Sequence, residues 1–196
     1  MSKTDLLKSL YSEYSSEFEG NEIVLGEGNV DAKILLIGEA PGKDEVRLSK
    51  PFVGAAGKNL NEFLDILNVK REDIYITNSI KYRLSKLNPE SGRVINRPAT
   101  KNEININQRY LLEEIKIIKP LFIVTLGNVP LKAVTGIPEV SVGKVHGSIM
   151  KVDIAGSGFD LYPLYHPASI IYNRSLKEVY INDILKLKSI LLDEIL

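Results

Sequence analysis

Residues 37–57 read IGEAPGKDEVRLSKPFVGAAG, and they crowd three acids, two Pro/Gly turn clusters and a Phe directly behind an apolar run, KILLIG. A stable sheet needs none of that combination. Similar polar residues follow three more apolar runs: Asn78 in EDIYITNSI, Gly127-Asn128 after PLFIVTL, and His166-Pro167 after FDLYPLY. A Glu, an Asn and a His converging on one crevice, with Phe52 nearby, would make a pocket for a flat polar ligand. Asn presents a donor and an acceptor in one plane. Phe presents a stacking face. His can donate to an oxygen on which negative charge develops. A pyrimidine base whose bond to a sugar is to be broken needs those three things. Taken singly, each residue has a plain structural reading as well. Gly38 and Gly42 suit a strand-to-helix turn, Asn78 could cap a loop, His166 before Pro could be a structural hydrogen-bonder, and Phe52 could be core. Their joint occurrence, in this order and at successive strand ends, favours a site.

The elements that would position these residues alternate. TDLLKSLYSEYSSEF (4–18) has apolar residues at helical spacing behind a Thr4 cap. AKILLIG (32–38) is a buried-strand run, AGKNLNEFLDILNV (56–69) an amphipathic helix with Leu60, Phe63, Leu64 and Leu67 on one stripe, and EDIYITNSI (72–80) a second strand. KYRLSKLNPESGRVINRPATKNE is polar, basic and rich in turn residues, and reads as a long surface loop. Thr100 with Glu103 forms a capping-box signature for a helix to about Ile118. A third strand (120–127), a short helix ended by Gly136, two strands in KVHGSIMKVDI and FDLYPLYH, and a closing helix complete the chain. Strand–helix alternation predicts an α/β fold with a mostly parallel sheet covered on both faces. Such sheets bind ligands outside the carboxyl ends of their strands, which is where the unusual residues fall.

Composition bounds the function. The chain has 196 residues, 44% hydrophobic, with 25 Lys+Arg against 25 Asp+Glu, so its net charge announces no nucleic-acid partner and a basic patch has to be sought by position. Arg83, Lys86, Arg93 and Arg97 make the best local patch, suited to phosphates, although a solvated loop would carry the same charges. With no cysteine, disulfides, thiol catalysis and thiolate metal sites are excluded, and with only His146 and His166 so is a His-rich metal site. No 18-residue apolar run and no signal-peptide pattern is present, so no membrane association and a cytoplasmic location are expected.

The blocks GEAPGKDE, KPFVGAAGKNLNEFL, YITNSIKYR, NRPATKNEI, IKPLFIVTLGNVPLKAVTG and YHPASII together resemble the uracil-DNA glycosylase superfamily, nearest to its bacterial and archaeal family 4 branch, in collinear order over roughly residues 24–190. The resemblance implies a three-layer α/β/α sandwich around a central parallel sheet, in agreement with the pattern above. One domain over residues 1–196 is expected, with 1–22 as an N-terminal helix and loop and 83–98 as an extended basic loop. The activity implied is hydrolysis of the N-glycosidic bond of uracil in DNA after base flipping, the start of base excision repair, with no cofactor or metal and with the protein acting as a monomer. Glu39 would lie near the attacking water and the sugar C1′, and His166 would support charge on O2 of the departing uracil. Gly38 and the backbone around Ala40 would hold a uracil oxygen. Glu45 would sit at the C5 edge against thymine's methyl, Phe52 would stack on the base, and Asn78 would read its Watson–Crick edge. HPASII would enter the minor groove with Ile170 or Ile171 as wedge, flanked at the DNA by Ser169 and Arg174.

The departures matter equally. Typical members of that branch carry an iron–sulfur cluster on four cysteines, and this chain has none. Tyr82 stands where KCR is usual, Asn107 stands at the helix position of another ligand, and the N-terminal pair is replaced within YSEYSSEFEGNE. The cluster is regarded as structural in the family, so its loss does not by itself remove catalysis. Tyr82 and N-terminal packing are expected to take its place. An offshoot family bonds covalently to DNA through a His in the loop that is extended here. GRVINRP has no His, so that activity is not expected. A second class of reading stays open: a catalytically weak or inactive superfamily member that binds DNA or a nucleotide. A third, a flavodoxin-like phosphate binder, leaves KPFVGAAG and YHPASII without a role.

Overall fold

The computed structural model describes residues 1–172 and 175–195, with the side chains of residues 55, 56, 170–172 and 193–195 left out. The chain opens with helix α1 (Lys3–Glu17) and a two-residue strand β1 (Glu27–Gly28), followed by β2 (Ile34–Gly38), α2 (Lys43–Leu48), α3 (Ala55–Leu67) and β3 (Tyr75–Asn78). A hairpin of β4 (Ser85–Leu87) and β5 (Val94–Asn96) leads into α4 (Lys101–Ile118), β6 (Phe122–Leu126), α5 (Asn128–Thr135) and the short α6 (Val142–Val145). The last elements are β7 (Met150–Ile154), β8 (Ser157–Leu164), α7 (Pro167–Tyr172) and α8 (Ser175–Ile195).

The central sheet runs β1-β3-β2-β6-β8-β7. Its four inner strands are mutually parallel, and only the edges β1 and β7 run antiparallel. An inner parallel strand is covered on both faces, and β2 accordingly reads as an unbroken apolar run with every residue buried. Ile34 and Leu36 pack into a core with Phe63 of α3 and Ile184 and Leu187 of α8. Leu35 and Ile37 point the other way, to Leu7 of α1, Leu111 and Ile115 of α4 and Leu131 of α5. The result is the three-layer sandwich expected from the sequence. The chain leaves β2 toward the α3 face, but leaves β3 and β6 toward the α4 and α5 face. A crevice therefore opens at the carboxyl end of β2.

The capping box that opens α4 is present, with the Glu103 amide donating to Thr100 Oγ1 (3.2 Å) and the Thr100 amide donating to the Glu103 carboxylate (2.9 Å). Several local readings are corrected. α1 is capped by Ser2 through a box with Asp5, not by Thr4. The strand expected at 144–154 begins at Met150, because α6 and a left-handed Gly147 (φ 66°) occupy what precedes it. The supposed surface loop from residue 81 starts inside the protein, with Lys81, Tyr82 and Leu84 buried, and then forms the β4–β5 hairpin. α2, six residues between two turns, had no apolar periodicity to reveal it. Among the described residues, no helix is long and apolar enough to cross a membrane.

Candidate active site

A pocket of about 400 Å³ opens outside the carboxyl ends of β2, β3 and β8, and Ala40, Gly42, Glu45, Phe52, Asn78 and His166 all line it. With Asn96, four segments distant in sequence supply one cavity, at the place the sheet topology provides for a ligand.

Asn78 closes β3 and is 3% exposed, yet its side-chain amide has no hydrogen-bond partner among the described residues. Facing the pocket with neither amide atom committed, it can offer a ligand one donor and one acceptor. Behind it, the Lys81 ammonium donates to the Asn78 carbonyl (3.0 Å) and pairs with the Glu114 carboxylate (2.8 Å). Glu114 also accepts from Thr77 (3.1 Å) and from Tyr11. Asn78 thus rests on a polar network whose Lys81, Thr77 and Glu114 members are fully buried.

Phe52 sits at φ 53°, in a left-handed conformation that is costly for a side chain of its size. Two groups hold it there. The Arg71 guanidinium donates to the carbonyls of Pro51 (2.5 Å) and Phe52 (3.2 Å) and pairs with Glu27 (3.0 Å). The Glu45 carboxylate accepts from the amides of Val53 (3.0 Å), Gly54 (2.7 Å) and Gly42 (3.1 Å). Gly38 completes the arrangement, since a Cβ there would fall 2.4 Å from the tip of the Phe52 ring and 2.5 Å from Asn78 Oδ1. Ring and amide meet over a bare backbone, which any other residue would block.

His166 follows β8, and its Nδ1 accepts from the Ala168 amide (3.1 Å). That bond leaves Nε2 as the nitrogen that carries the proton and donates. Burial holds the imidazole below its usual range, so it is neutral at neutral pH. Glu39, beside the rim residue Ala40, stands just outside the pocket lining. Its Oε1 accepts from the Ala99 amide (3.2 Å), while Oε2 has no partner among the described residues. Burial raises its pKa, and the Ala99 bond opposes this more weakly.

The basic residues divide. Arg97 is committed to Glu103 in a two-point pair (2.6 and 2.9 Å), and Arg83 donates to Asn96 (3.1 Å) beside Glu22. Arg93 is exposed, with its guanidinium unpaired among the described residues. Ser169 lies in α7, where its amide donates to the His166 carbonyl (2.8 Å). The side chains of Ile170 and Ile171 and all of Arg174 lie outside the described residues. Sequence reading missed Asn96, which lines the pocket from the hairpin, and the supports Lys81 and Arg71.

Where the family resemblance implies an iron–sulfur cluster, the residues present do not fit one. Tyr14, Phe18, Tyr82 and Tyr110 pack together, with ring centroids 4.5 Å apart for Tyr14–Phe18, 4.9 Å for Tyr14–Tyr110 and 5.2 Å for Phe18–Tyr82. Asn107 sits among them, accepting from the Tyr14 hydroxyl (2.5 Å), and its Nδ2 lies 3.4 Å from the Tyr82 oxygen. Burial pushes both phenols above their ordinary range, so neither supplies an anionic oxygen, and the chain has no thiol. Purified protein is expected to be colourless and to hold no stoichiometric iron. Visible absorption near 400 nm that tracks iron content, read by spectrophotometry with metal analysis, would contradict this.

Comparison with known proteins identifies the family. The model of the uracil DNA glycosylase superfamily matches residues 25–186. The chain is 38% identical over 174 residues to a type-4 uracil-DNA glycosylase of Thermotoga maritima, covering 88% of this chain and 84% of that protein. It is 38% identical over 172 residues to the type-4 enzyme of Saccharolobus solfataricus (86% and 76%), and 36% over 167 residues to that of Archaeoglobus fulgidus (84% and 79%). With the strand-end pocket, this match over most of the chain means that the protein belongs to the uracil DNA glycosylase superfamily.

Proposed function

We propose that the pocket takes a uracil flipped out of DNA and that the chain hydrolyses its N-glycosidic bond. The observation that carries this reading is the Asn78 amide, uncommitted and facing the pocket that the Phe52 ring also lines. Reaching the base requires extrusion from the stack, at roughly a few kcal/mol. Phe52 supplies a face for any base, so discrimination rests on Asn78. Its amide complements the O4 and N3–H of uracil, whereas cytosine presents the reverse pattern. Glu45, fixed by three amides, makes an immobile wall near Gly42 and Gly54 against thymine's methyl. When the C1′–N1 bond breaks, its electron pair leaves with uracil and negative charge collects on O2. His166 Nε2–H donates to that oxygen as a neutral imidazole. Glu39, through its uncommitted Oε2, orients water toward C1′ and offsets the positive character of the sugar. Arg93 meets phosphate.

The test uses oligonucleotides that carry one uracil, thymine or cytosine at the same position. Wild-type protein is expected to release free uracil only. Asn78→Ala is expected to lose far more activity than Phe52→Leu, because stacking survives in part on a leucine. Equal losses from the two changes, or equal release of cytosine, would overturn Asn78 as the reader.

A further inference from the structure

The β4–β5 hairpin carries an apolar strip that the fold does not use. Leu87 is 64% exposed and Val94 54% exposed, and they are cross-strand partners. Side chains two apart on a strand share a face, and directly paired residues share it too. Asn96, paired with Ser85, lines the pocket. Leu87 and Val94 therefore lie on the pocket's side of the hairpin, about 7 Å farther along it, roughly two stacked nucleotide steps. Lys86 and Ile95 form the pair on the opposite face. Three exposed aliphatic residues stand on this short unprotected hairpin, with Ile95 (37% exposed) on the far face less open than the Leu87–Val94 pair; such residues add little to stability and invite association, so the more exposed pair asks for a partner.

We propose that Leu87 and Val94 form a second DNA-contacting surface, bearing on the nucleotides that flank the flipped base. The proposal rests on the reading that the pocket takes a base from DNA. One observation selects DNA as the occupant: the strip shares its face of the hairpin with Asn96, which lines the pocket, so a strand that presents a base to the pocket passes over it. Extruding a base uncovers the apolar faces of its neighbours, and aliphatic side chains cover such faces in proteins that unstack DNA. The hairpin would thus hold one flank of the gap.

Salt titration of binding to a duplex with one uracil separates this contact from charge. The double variant Leu87→Ser/Val94→Ser is expected to bind about tenfold more weakly at every salt concentration, with an unchanged slope of log K against log salt, because no counterion is released by an apolar contact. Arg93→Ala is expected to lower that slope by about one. Ile95→Ser, of the same chemistry on the opposite face, is the control and is expected to bind like wild type. The inference fails if the double variant binds like wild type, if Ile95→Ser costs as much, or if the double variant only dissolves a self-associated form seen by sedimentation without changing DNA affinity. Failure of wild-type protein to bind uracil-containing DNA at all would instead remove the underlying reading.

Discussion

His166→Ala is expected to lower the single-turnover rate of uracil release about a hundredfold to a thousandfold, while affinity for uracil-containing DNA changes little. In the ground state O2 of uracil is an ordinary carbonyl oxygen, and one donor more or less matters modestly. As the glycosidic bond breaks that oxygen becomes anionic, and a donor already oriented by the Ala168 amide at 3.1 Å gains strength where it is needed. Glu39→Gln is expected to be similarly impaired, since an amide can still orient water but cannot offset positive charge on the sugar. The same substitution separates catalysis from stability. Burial raises the Glu39 pKa above its unfolded value, so the contribution of this group to folding is most favourable below the ordinary carboxylate range and is lost as pH rises. At neutral pH its charge therefore opposes folding. Glu39→Gln should melt higher than wild type at pH 7, with the gap closing as pH falls and the native carboxyl takes up its proton. Thermal melts across that range check the sign.

The largest effect on stability is expected at Lys81. Its side chain is 1% exposed and that of Glu114 is fully buried. Lys81→Met leaves the Glu114 carboxylate buried without its cation, an arrangement that typically costs about 3–5 kcal/mol. For a domain of this size that is roughly 6–20 °C in melting temperature. Replacing both partners, as Lys81→Met with Glu114→Leu, removes the stranded charge and is expected to recover much of the stability. It does not restore the donor to the Asn78 carbonyl, so uracil release should recover less than the melting temperature does. Equal recovery of both would show that the network supports the fold and not the placement of Asn78.

These two sites differ in how legible they were in the sequence. β2 and β6 stand out because a strand buried on both faces must be apolar throughout. α4 stands out because a capping box is a local device that needs no tertiary context. Asn78 and His166 were visible because polar residues at the ends of such runs have no structural need to be there. Lys81 was not. Its charge made KYRLSK read as surface, and only the fold reveals that Glu114, 33 residues later on α4, neutralises it. Asn96 and the Leu87–Val94 pair were hidden for a related reason. Three-residue strands are too short for alternation to register, so the face they share with the pocket emerges only from the pairing register. The strained turn at Phe52 depends on Arg71 and Glu45, whose partners are backbone groups that carry no sequence signal.

The most direct test of the central claim, that this cysteine-free chain is a working glycosylase, is single-turnover assay of iron-free protein in excess over a uracil-containing oligonucleotide, with free uracil quantified. One equivalent of uracil per oligonucleotide, leaving an abasic site and falling by two to three orders of magnitude in rate with His166→Ala, is the predicted result. Tight binding of that oligonucleotide with no uracil released, and with His166→Ala binding just as tightly, would contradict the account and leave a DNA-binding member of the superfamily.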